Sequence, residues 1–253
     1  MTRTITLGGR AFTRVGLGTN RLTDTEENRA FLRDAVVAGL QFIDSAHLYT
    51  DGASETTIGN ALAPFSDDVL VATKGNYKGG GNDRLRTELG QSVKRLQADV
   101  IDLYYLHRVD PETPLEASMD LLREFVELGR IGHVGLSEVS VEEIERARSI
   151  VPIAAVQNEY SLDERKHDEV IEHCEAEGIV FVPFFPLRGS SPQLGEIAAR
   201  HEATENQIKI AWLLKRSPAM APIPGTLSLE HLKENLAALE IELSDEEYEA
   251  LSG

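Results

Sequence analysis

The sequence of 253 residues contains one cysteine, Cys174, and one tryptophan, Trp212. With a single thiol, no disulfide bond can form within one chain, and no zinc site can be built from cysteine ligands. Cys174 lies in a helical pattern with no cation near it in the sequence, which is typical of a buried, unreactive thiol. We therefore expect neither a disulfide-stabilised fold nor a metal site.

Long apolar runs and basic residues are also scarce. No segment reaches the roughly 20 apolar residues that a membrane-spanning helix needs, and residues 1–7 lack the apolar core of a secretory signal. The 25 Lys and Arg residues against 42 Asp and Glu residues give a formal net charge of −17. Such an acidic surface repels nucleic acids and anionic lipids. We expect a cytoplasmic protein that binds neither, in which an anionic cofactor needs a local cationic or helix-terminal site.

What the chain does contain is a regular alternation of helical patterns and short apolar runs. Residues 1–14 are predicted to form a β-hairpin around Gly8 and Gly9, and an apolar strand with glycines, residues 15–20, follows. Ser140 and Glu143 have the spacing of a capping box. The predicted strands are 41–44, 69–73, 101–106, 131–137, 153–157, 179–184 and 219–223, and the predicted helices are 26–38, 54–62, 83–96, 114–128, 141–150, 163–176, 193–201, 205–215 and 228–239.

The eight strand–helix alternations predict an α/β fold, namely a (β/α)8 TIM barrel with an N-terminal β-hairpin. The strands are almost wholly apolar, as expected when both faces of a sheet are buried. Residues 1–253 are predicted to be a single domain that ends in a short helix within residues 241–253. A doubly wound open sheet is the alternative, but Gly16 and Gly18 lack the third glycine of the dinucleotide-binding turn that such a sheet normally has.

Three successive predicted strands end in polar side chains. The first ends in Asp44, with Tyr49 five positions further on, the next ends in Lys74, and the third is followed by His107. Because the carboxyl ends of all strands share one face of a barrel, where active sites lie, we expect these four residues to meet. Asp44 and Lys74 alone could also be a structural ion pair, since such pairs occur in buried networks without catalytic roles.

The four side chains together suit the chemistry of a carbonyl group. A phenol has a pKa of about 10, and lowering it to near 7 needs roughly 4 kcal/mol, which a close ammonium in a partly dry pocket can supply. Lys74 can therefore stabilise ionised Tyr49, Asp44 can hold Lys74 in place, and His107 can donate a hydrogen bond to a carbonyl oxygen. We predict that these residues catalyse reduction of an aldehyde or ketone by hydride, or the reverse reaction.

The same residues lie in motifs that resemble those of the aldo-keto reductase family. The family's D-x-A-x-x-Y, Thr-Lys, D-L-Y-x-x-H, Q-x-E-Y and I-P-G-T motifs correspond to residues 44–49, 73–74, 102–107, 157–160 and 223–226. The resemblance extends from the N-terminal hairpin to about residue 239. It implies an NAD(P)H-dependent enzyme of the aldo-keto reductase type, with the cofactor lying across the mouth of the barrel.

The resemblance also implies which residues bind the cofactor. Residues 18–20 would lie near the nicotinamide, Ser137 and Gln157 would bind its carboxamide, and Phe184 would stack on its ring. The adenosine and its phosphate would lie at the start of the last barrel helix. The full set of predicted cofactor-binding residues is Gly18, Thr19, Asn20, Asp44, Ser137, Gln157, Phe184, Leu187, Gly225, Thr226, Ser228, Glu234 and Asn235.

Two departures from the family pattern concern the cofactor. Members that prefer NADPH usually place a cationic side chain around the 2′-phosphate, whereas this chain has Gly225, Leu227 and His231 at those positions. NADP(H) is favoured on family frequency, with NAD(H) as the alternative, because a 2′-phosphate bound without arginine loses bidentate hydrogen bonds. Glu138 replaces the asparagine that often follows the carboxamide-binding serine.

The main hypothesis is therefore a reductase of small-molecule carbonyl compounds, monomeric or weakly oligomeric. The chain ends soon after the last barrel helix, from which we expect an open pocket and a broad substrate range. One alternative is a regulatory subunit of the same fold that senses nicotinamide cofactors. Another is a specialist dehydrogenase or reductase that acts on a sugar or on pyridoxal.

Overall fold

A computed structural model describes residues 2–253; Met1, the first residue of the predicted hairpin segment, lies outside the described residues. The chain begins with an antiparallel hairpin of β1 (Thr4–Leu7) and β2 (Arg10–Thr13), in which Leu7 lies opposite Arg10. Gly8 and Gly9 form the turn with positive φ angles of 58° and 80°, which glycine adopts without a steric penalty. The predicted N-terminal hairpin is therefore confirmed.

A curled parallel sheet of seven strands follows the hairpin, in the order of the sequence from β3 to β9. The predicted α/β barrel of the (β/α)8 type is confirmed. Its strands are β3 (Leu17–Gly18), β4 (Phe42–Asp44), β5 (Leu70–Gly75), β6 (Ile101–Leu106), β7 (Ile131–Ser137), β8 (Ile153–Gln157) and β9 (Val180–Phe181). Its helices are α1 (Glu26–Val37), α2 (Ala53–Leu62), α3 (Gly81–Leu96), α4 (Leu115–Glu127), α5 (Val141–Arg148), α6 (Asp168–Glu177), α7 (Leu194–Arg200), α8 (Glu205–Arg216), α9 (Leu229–Ala237) and α10 (Asp245–Ser252).

Residues 219–225 close the barrel between its first and last strands. Ala221 N donates to the Phe181 carbonyl (2.8 Å), and on the other side Gly18 N donates to the Pro224 carbonyl (3.4 Å). A Cβ atom added to Gly18 would lie 2.8 Å from the carbonyl oxygen of Ile223. The glycine of β3 is therefore required by the close approach of this closing segment.

The interior of the barrel is filled from below by the hairpin. Leu7 and Phe12 are almost fully buried and pack in one cluster with Phe42, Leu70 and other buried residues of the barrel strands. The rings of Phe12 and Phe42 lie 5.4 Å apart. Because the hairpin covers the amino-terminal end of the strands, the carboxyl-terminal end is the one left open for a site.

Outside the barrel, the helices bury a larger apolar layer against the sheet. Trp212 of α8 lies between the rings of Tyr160 and Tyr248, with centroid separations of 5.8 Å on each side. Cys174 of α6 is fully buried in this layer, and burial raises the pKa of its thiol to about 12. The thiol is therefore protonated and unreactive at neutral pH, as its sequence context indicates.

Several predicted elements are shorter than the sequence pattern indicates. The strand predicted over 15–20 is regular only at Leu17–Gly18, and the strand predicted over 219–223 is wrong as a regular strand, since it makes only a single bridge, between Met220 and Phe181. The helix predicted to begin at 163 begins at Asp168, because residues 161–164 form a turn in which Ser161 and Glu164 exchange backbone hydrogen bonds. The strand predicted over 179–184 is regular only at Val180–Phe181. Its last residues bend toward the mouth of the barrel, where Phe184 N still donates to the Asn158 carbonyl (3.2 Å).

Candidate active site

The carboxyl ends of β4, β5 and β6 bring the four predicted catalytic residues together. Asp44 is the last residue of β4, Lys74 lies next to the end of β5, and His107 follows β6 directly. Tyr49 begins a short 3₁₀ turn, Tyr49–Gly52, between β4 and α2. The register of the parallel strands brings these side chains to the same end of the sheet, since Asp44 pairs with Ala72 and Lys74 pairs with Tyr105 on adjacent strands.

Asp44 and Lys74 form an ion pair that is closed to solvent. Lys74 Nζ lies 2.5 Å from Asp44 Oδ1 and donates a second hydrogen bond to the Ser45 carbonyl (2.7 Å). The other carboxylate oxygen accepts a hydrogen bond from Gln157 Nε2 (2.9 Å). Burial raises the pKa of Asp44, opposed by Lys74 and Gln157. Burial would lower the pKa of Lys74, but Asp44 and Tyr49 hold it above its ordinary value, so Lys74 is charged.

Tyr49 lies within reach of this ammonium. Lys74 Nζ lies 5.1 Å from the centroid of the Tyr49 ring, and the Tyr49 and His107 rings meet edge to face with centroids 6.1 Å apart. Burial raises the pKa of the Tyr49 phenol above its ordinary value, and the charge of Lys74 opposes this rise without reversing it. The expectation of a phenol pKa near 7 is therefore wrong for this state, because desolvation outweighs the ammonium. Tyr49 is protonated at neutral pH.

Local backbone geometry holds Tyr49 at this place. His47 N donates to the Lys74 carbonyl (2.9 Å), which ties the segment after β4 to the end of β5. Thr50 and Asp51 have positive φ angles of 49° and 54°, and Thr50 Oγ1 donates to the Leu22 carbonyl (2.7 Å). Since bulky residues seldom adopt this conformation, the turn is held by its surroundings.

His107 is buried and neutral. Its side chain belongs to a residue only 5% exposed, and burial, helped by Lys74 and Arg108, lowers the pKa of its imidazole to about 2. Its Nδ1 atom is buried without a hydrogen-bond partner among residues 2–253. Because an unpaired buried N–H is less common than an unpaired acceptor, we assign the proton of the neutral ring to Nε2. That proton is available to a ligand.

A cavity of about 640 Å³ opens above these residues. Tyr49, His107 and Asp44 line it, whereas Lys74 is fully buried and does not, with its Nζ 5.1 Å from the centroid of the Tyr49 ring. Nine of the predicted cofactor-binding residues also line it: Gly18, Thr19, Asn20, Asp44, Ser137, Gln157, Phe184, Leu187 and Gly225. The barrel thus brings residues from six of its strand ends into one cavity.

The remaining predicted cofactor residues lie outside that cavity, at α9. Ser228 caps α9, where its Oγ accepts a hydrogen bond from His231 N (3.3 Å), and Thr226 Oγ1 accepts one from Ser228 N (3.0 Å). Glu234 is half-buried and Asn235 is buried. Leu227 is 44% exposed beside them. The roles of Thr226, Ser228, Glu234 and Asn235 toward a cofactor stay predictions.

Two polar groups in the cavity already have protein partners. Gln157 donates to Asp44, and Ser137 Oγ accepts a hydrogen bond from Arg108 Nη1 (2.9 Å). Glu138, the departure from the family pattern, points elsewhere: its Oε1 accepts from Glu159 N (2.6 Å). The acid therefore supports the backbone of the next strand end and does not line the cavity.

Several lining residues escaped the sequence analysis. They are Arg21, Leu48, Tyr77, Arg108, Phe185, Pro186 and Arg188. Arg108 directly follows His107 at a strand end, so its position alone could have drawn attention to it. Tyr77 lies in the glycine-rich segment before α3, and its ring packs 4.8 Å from the His107 ring. No sequence pattern predicts that contact, because it depends on how two loops meet.

Comparisons with known proteins agree with this arrangement. The family model described as Aldo/keto reductase family matches residues 5–193 and 190–253. Pyridoxine 4-dehydrogenase of Escherichia coli (strain K12) is 34% identical, with 99% of this chain and 97% of that protein covered. The aldo-keto reductase yakc of Schizosaccharomyces pombe, named as using NADP(+), is 33% identical, with 87% of this chain and 80% of that protein covered.

Solved structures give the same result. The thermostable aldo-keto reductase Tm1743, crystallised with the inhibitor epalrestat, is 33% identical with a TM-score of 0.92 and 99% of both chains covered. An aldo/keto reductase from Klebsiella pneumoniae, solved with NADP and acetate, is 29% identical with a TM-score of 0.88, covering 99% of this chain and 94% of that one. The chain belongs to the aldo/keto reductase family, which confirms the predicted oxidoreductase class.

Proposed function

We propose that the protein reduces an aldehyde or ketone to an alcohol with a nicotinamide cofactor. The observation that carries the proposal is a protonated Tyr49 and a neutral His107 side by side on the floor of one cavity, above the buried Lys74–Asp44 pair. A protonated phenol is the form that a proton donor needs, and a neutral imidazole can donate a hydrogen bond without carrying a charge.

The cofactor, when bound, supplies the hydride. Tyr49 donates its phenolic proton to the carbonyl oxygen as negative charge develops there, and the nearby ammonium of Lys74 stabilises the phenolate that remains. His107 donates its Nε2 proton in a hydrogen bond to the same oxygen and so orients the carbonyl group. Asp44 keeps Lys74 charged and fixed, because its carboxylate accepts from that ammonium at 2.5 Å.

The residues of the cavity fit an anionic dinucleotide. Arg21 lines the cavity and has no carboxylate partner among residues 2–253, and Arg188 lines it while paired with Glu159. The one lining acid, Asp44, is already paired with Lys74. In a chain of net charge −17, this is the local cationic site that an anionic cofactor needs. We propose Ser137, Gln157 and Phe184 for the nicotinamide, and Thr226, Ser228, Glu234 and Asn235 for the adenosine.

NADP(H) is the favoured cofactor, with NAD(H) as the alternative. Related structures from Klebsiella pneumoniae were solved with NADP and with NADPH. Against this, the neighbourhood of α9 offers Leu227 and His231 where an arginine would bind a 2′-phosphate with two hydrogen bonds. The preference for NADP(H) is therefore expected to be modest.

A specialist activity is the second candidate. It is favoured by one observation, the 34% identity to pyridoxine 4-dehydrogenase of Escherichia coli, which covers nearly all of both chains. Pyridoxal or pyridoxine would then be the preferred substrate. A regulatory subunit without turnover fits less well, because all four predicted catalytic side chains are present and in contact distance.

The decisive experiment measures the loss of NADPH and of NADH absorbance, separately, with benzaldehydes and with pyridoxal. Consumption with either cofactor supports the reductase, and the ratio of the two kcat/KM values measures the effect of the missing arginine. A kcat/KM for pyridoxal far above all others would favour the specialist. Binding of NADPH without turnover of any carbonyl compound would overturn the reductase in favour of the regulatory subunit.

Location and assembly belong to the same proposal. None of the helices within residues 2–253 is long and apolar enough to cross a membrane. We propose a cytoplasmic enzyme, supported by its single, buried thiol, and a monomer or weak oligomer that needs no metal ion. Sedimentation of the purified protein tests the assembly, and unchanged turnover after treatment with a chelator is expected.

A further inference from the structure

Arg108 differs from most arginines of this chain in its electrostatic partners. Most others lie within 4 Å of a carboxylate, as Arg29 does with Asp24 and Arg146 with Glu116. Among residues 2–253, no acid pairs with Arg108. The Arg108 guanidinium therefore lies in the cavity without an acidic partner, although the protein has a net charge of −17.

Contacts on one side hold the guanidinium in place. Its Nη1 atom donates to the His107 carbonyl (2.6 Å) and to Ser137 Oγ (2.9 Å). The group lies 5.3 Å from the centroid of the Tyr77 ring and 5.9 Å from that of Phe184, so two aromatic side chains flank it. Such contacts with aromatic rings orient a cation without neutralising it.

The other side of the guanidinium remains available. Within the described part of the chain, no group accepts a hydrogen bond from its Nε or Nη2 atom. These two atoms form one edge of the planar group, and their parallel N–H bonds match the two oxygens of a carboxylate. A fixed guanidinium with this edge free is suited to bind an anion in a defined orientation.

The position of this edge points to the substrate. Arg108 follows His107 directly and its charge acts on both His107 and Tyr49, which places it at the reacting end of the cavity. Of the other two lining arginines, Arg21 donates to the Gly225 carbonyl, and Arg188 is paired with Glu159 and stacks on the Phe185 ring. Arg108 is therefore the lining arginine that combines the absence of a carboxylate partner with a position next to His107.

The mouth of the cavity adds an apolar surface near this cation. Leu48, Tyr77 and Phe185 line the cavity and are 37%, 46% and 43% exposed. Large apolar side chains exposed together at a cavity usually mark a binding surface. A ligand that satisfies both features has an apolar or aromatic body and one anionic group.

We propose that the enzyme prefers carbonyl substrates that carry a carboxylate on an apolar or aromatic body, and that Arg108 binds that carboxylate through its Nε and Nη2 atoms. The inference rests on the proposed reductase function and specifies its substrate class. Arg108 is a specificity-determining residue here, since the proton donor and the hydride source are elsewhere.

The test compares 4-formylbenzoate with its methyl ester, which has the same aldehyde and ring but no charge. The wild-type protein should have a kcat/KM for 4-formylbenzoate at least about 10-fold above that for the ester. Arg108→Gln should lower the value for 4-formylbenzoate by about 10- to 100-fold, mainly through KM, and leave the ester nearly unchanged. Arg108→Lys should retain part of the preference.

Arg33→Gln is the matched control, because it removes the same charge from the exposed face of α1. It should leave both substrates unchanged. Equal losses for acid and ester in Arg108→Gln would show a structural role and overturn the proposal. A weakened binding of NADPH, measured by its fluorescence, with an unchanged acid-to-ester ratio would assign Arg108 to the cofactor and also overturn it.

A binding measurement separates this proposal from the proposed function. Benzoate and benzamide are not reduced, so their dissociation constants with the complex of protein and NADP(+) need no turnover. Tighter binding of benzoate, lost in Arg108→Gln, would support the anion site even if no aldehyde were reduced. Equal binding of the two compounds would overturn the anion site even if aldehydes were reduced.

Discussion

Lys74 Nζ lies 2.5 Å from Asp44 Oδ1, and neither side chain is accessible to solvent. Both charges have lost their hydration, so the stability of each depends on the other. The pair lies directly beneath Tyr49, whose ring centroid is 5.1 Å from the ammonium. One buried contact therefore links the stability of the barrel to the chemistry of its site.

The first prediction concerns this pair. Lys74→Met should lower the free energy of unfolding by about 3–5 kcal/mol, because it leaves the Asp44 charge buried and unpaired. The double variant Lys74→Met/Asp44→Asn should recover at least about 1 kcal/mol of this loss, since no charge then remains and the new amide oxygen can still accept a hydrogen bond from Gln157. Urea denaturation of the single and double variants measures the coupling. Losses that simply add would contradict the mutual dependence.

The second prediction concerns the proton donor. Tyr49→Phe keeps the ring and its edge-to-face contact with His107 but removes the phenolic proton. The kcat for aldehyde reduction should fall by about 100- to 10,000-fold, which is the usual contribution of a positioned general acid. The dissociation constant for NADPH should change little. Unchanged turnover in this variant would refute the assigned role of Tyr49.

The third prediction concerns pH and His107. The pKa of His107 in the folded protein is about 2, below its ordinary value of 6.5. Between these two values the unfolded chain therefore binds a proton that the folded protein does not. As the pH falls, this proton stabilises the unfolded chain and lowers the free energy of unfolding. Between pH 7 and pH 5 the wild-type protein should lose about 2 kcal/mol relative to His107→Gln. Urea denaturation of both proteins at the two pH values checks this. A constant difference between them would mean that His107 titrates normally in the folded state.

The activity profile tests the same property independently. Because His107 is neutral throughout the range in which the protein is handled, it should add no limb near pH 6.5 to the kcat/KM profile of an uncharged aldehyde. An acid limb near that pH, retained in a variant at another histidine but removed by His107→Gln, would show that the ring is protonated in the free enzyme.

The fourth prediction concerns the loop that carries Tyr77. Asp110 accepts hydrogen bonds from Gly80 N (3.1 Å), Gly81 N (3.2 Å) and Thr113 Oγ1 (2.9 Å), which tie two loops of the cavity together. Asp110→Ala should speed amide hydrogen exchange in residues 76–81 and raise KM several-fold, because Tyr77 packs against His107 from this loop.

Asp120→Ala serves as the control for that variant. Asp120 pairs with Arg123 on an exposed helix face, so its loss should leave exchange in residues 76–81 unchanged. If Asp110→Ala exchanges like the wild-type protein in this segment, the carboxylate does not hold the loop.

Local sequence signals were sufficient for most of the individual elements. The capping box of Ser140 and Glu143 forms as its spacing predicts, with Glu143 N donating to Ser140 Oγ and Ser140 N donating back to the Glu143 carboxylate. The helix predicted to begin at residue 163 begins only at Asp168, because of polar contacts rather than apolar periodicity. There the polar side chains of Asn158 and His167 bond each other (3.1 Å) across a turn, which a helical pattern of apolar residues does not reveal.

The sequence by itself indicated the order of most strands and helices, the barrel, the family, and the four residues that meet at the carboxyl ends of the strands. It could do so because apolar periodicity and short motifs are local properties of the chain. Only the tertiary structure decided that Tyr49 stays protonated, that His107 is neutral, and that Arg108 has no acidic partner inside the cavity. These properties depend on desolvation and on charges from other strands, and neither can be obtained from neighbouring residues in the sequence.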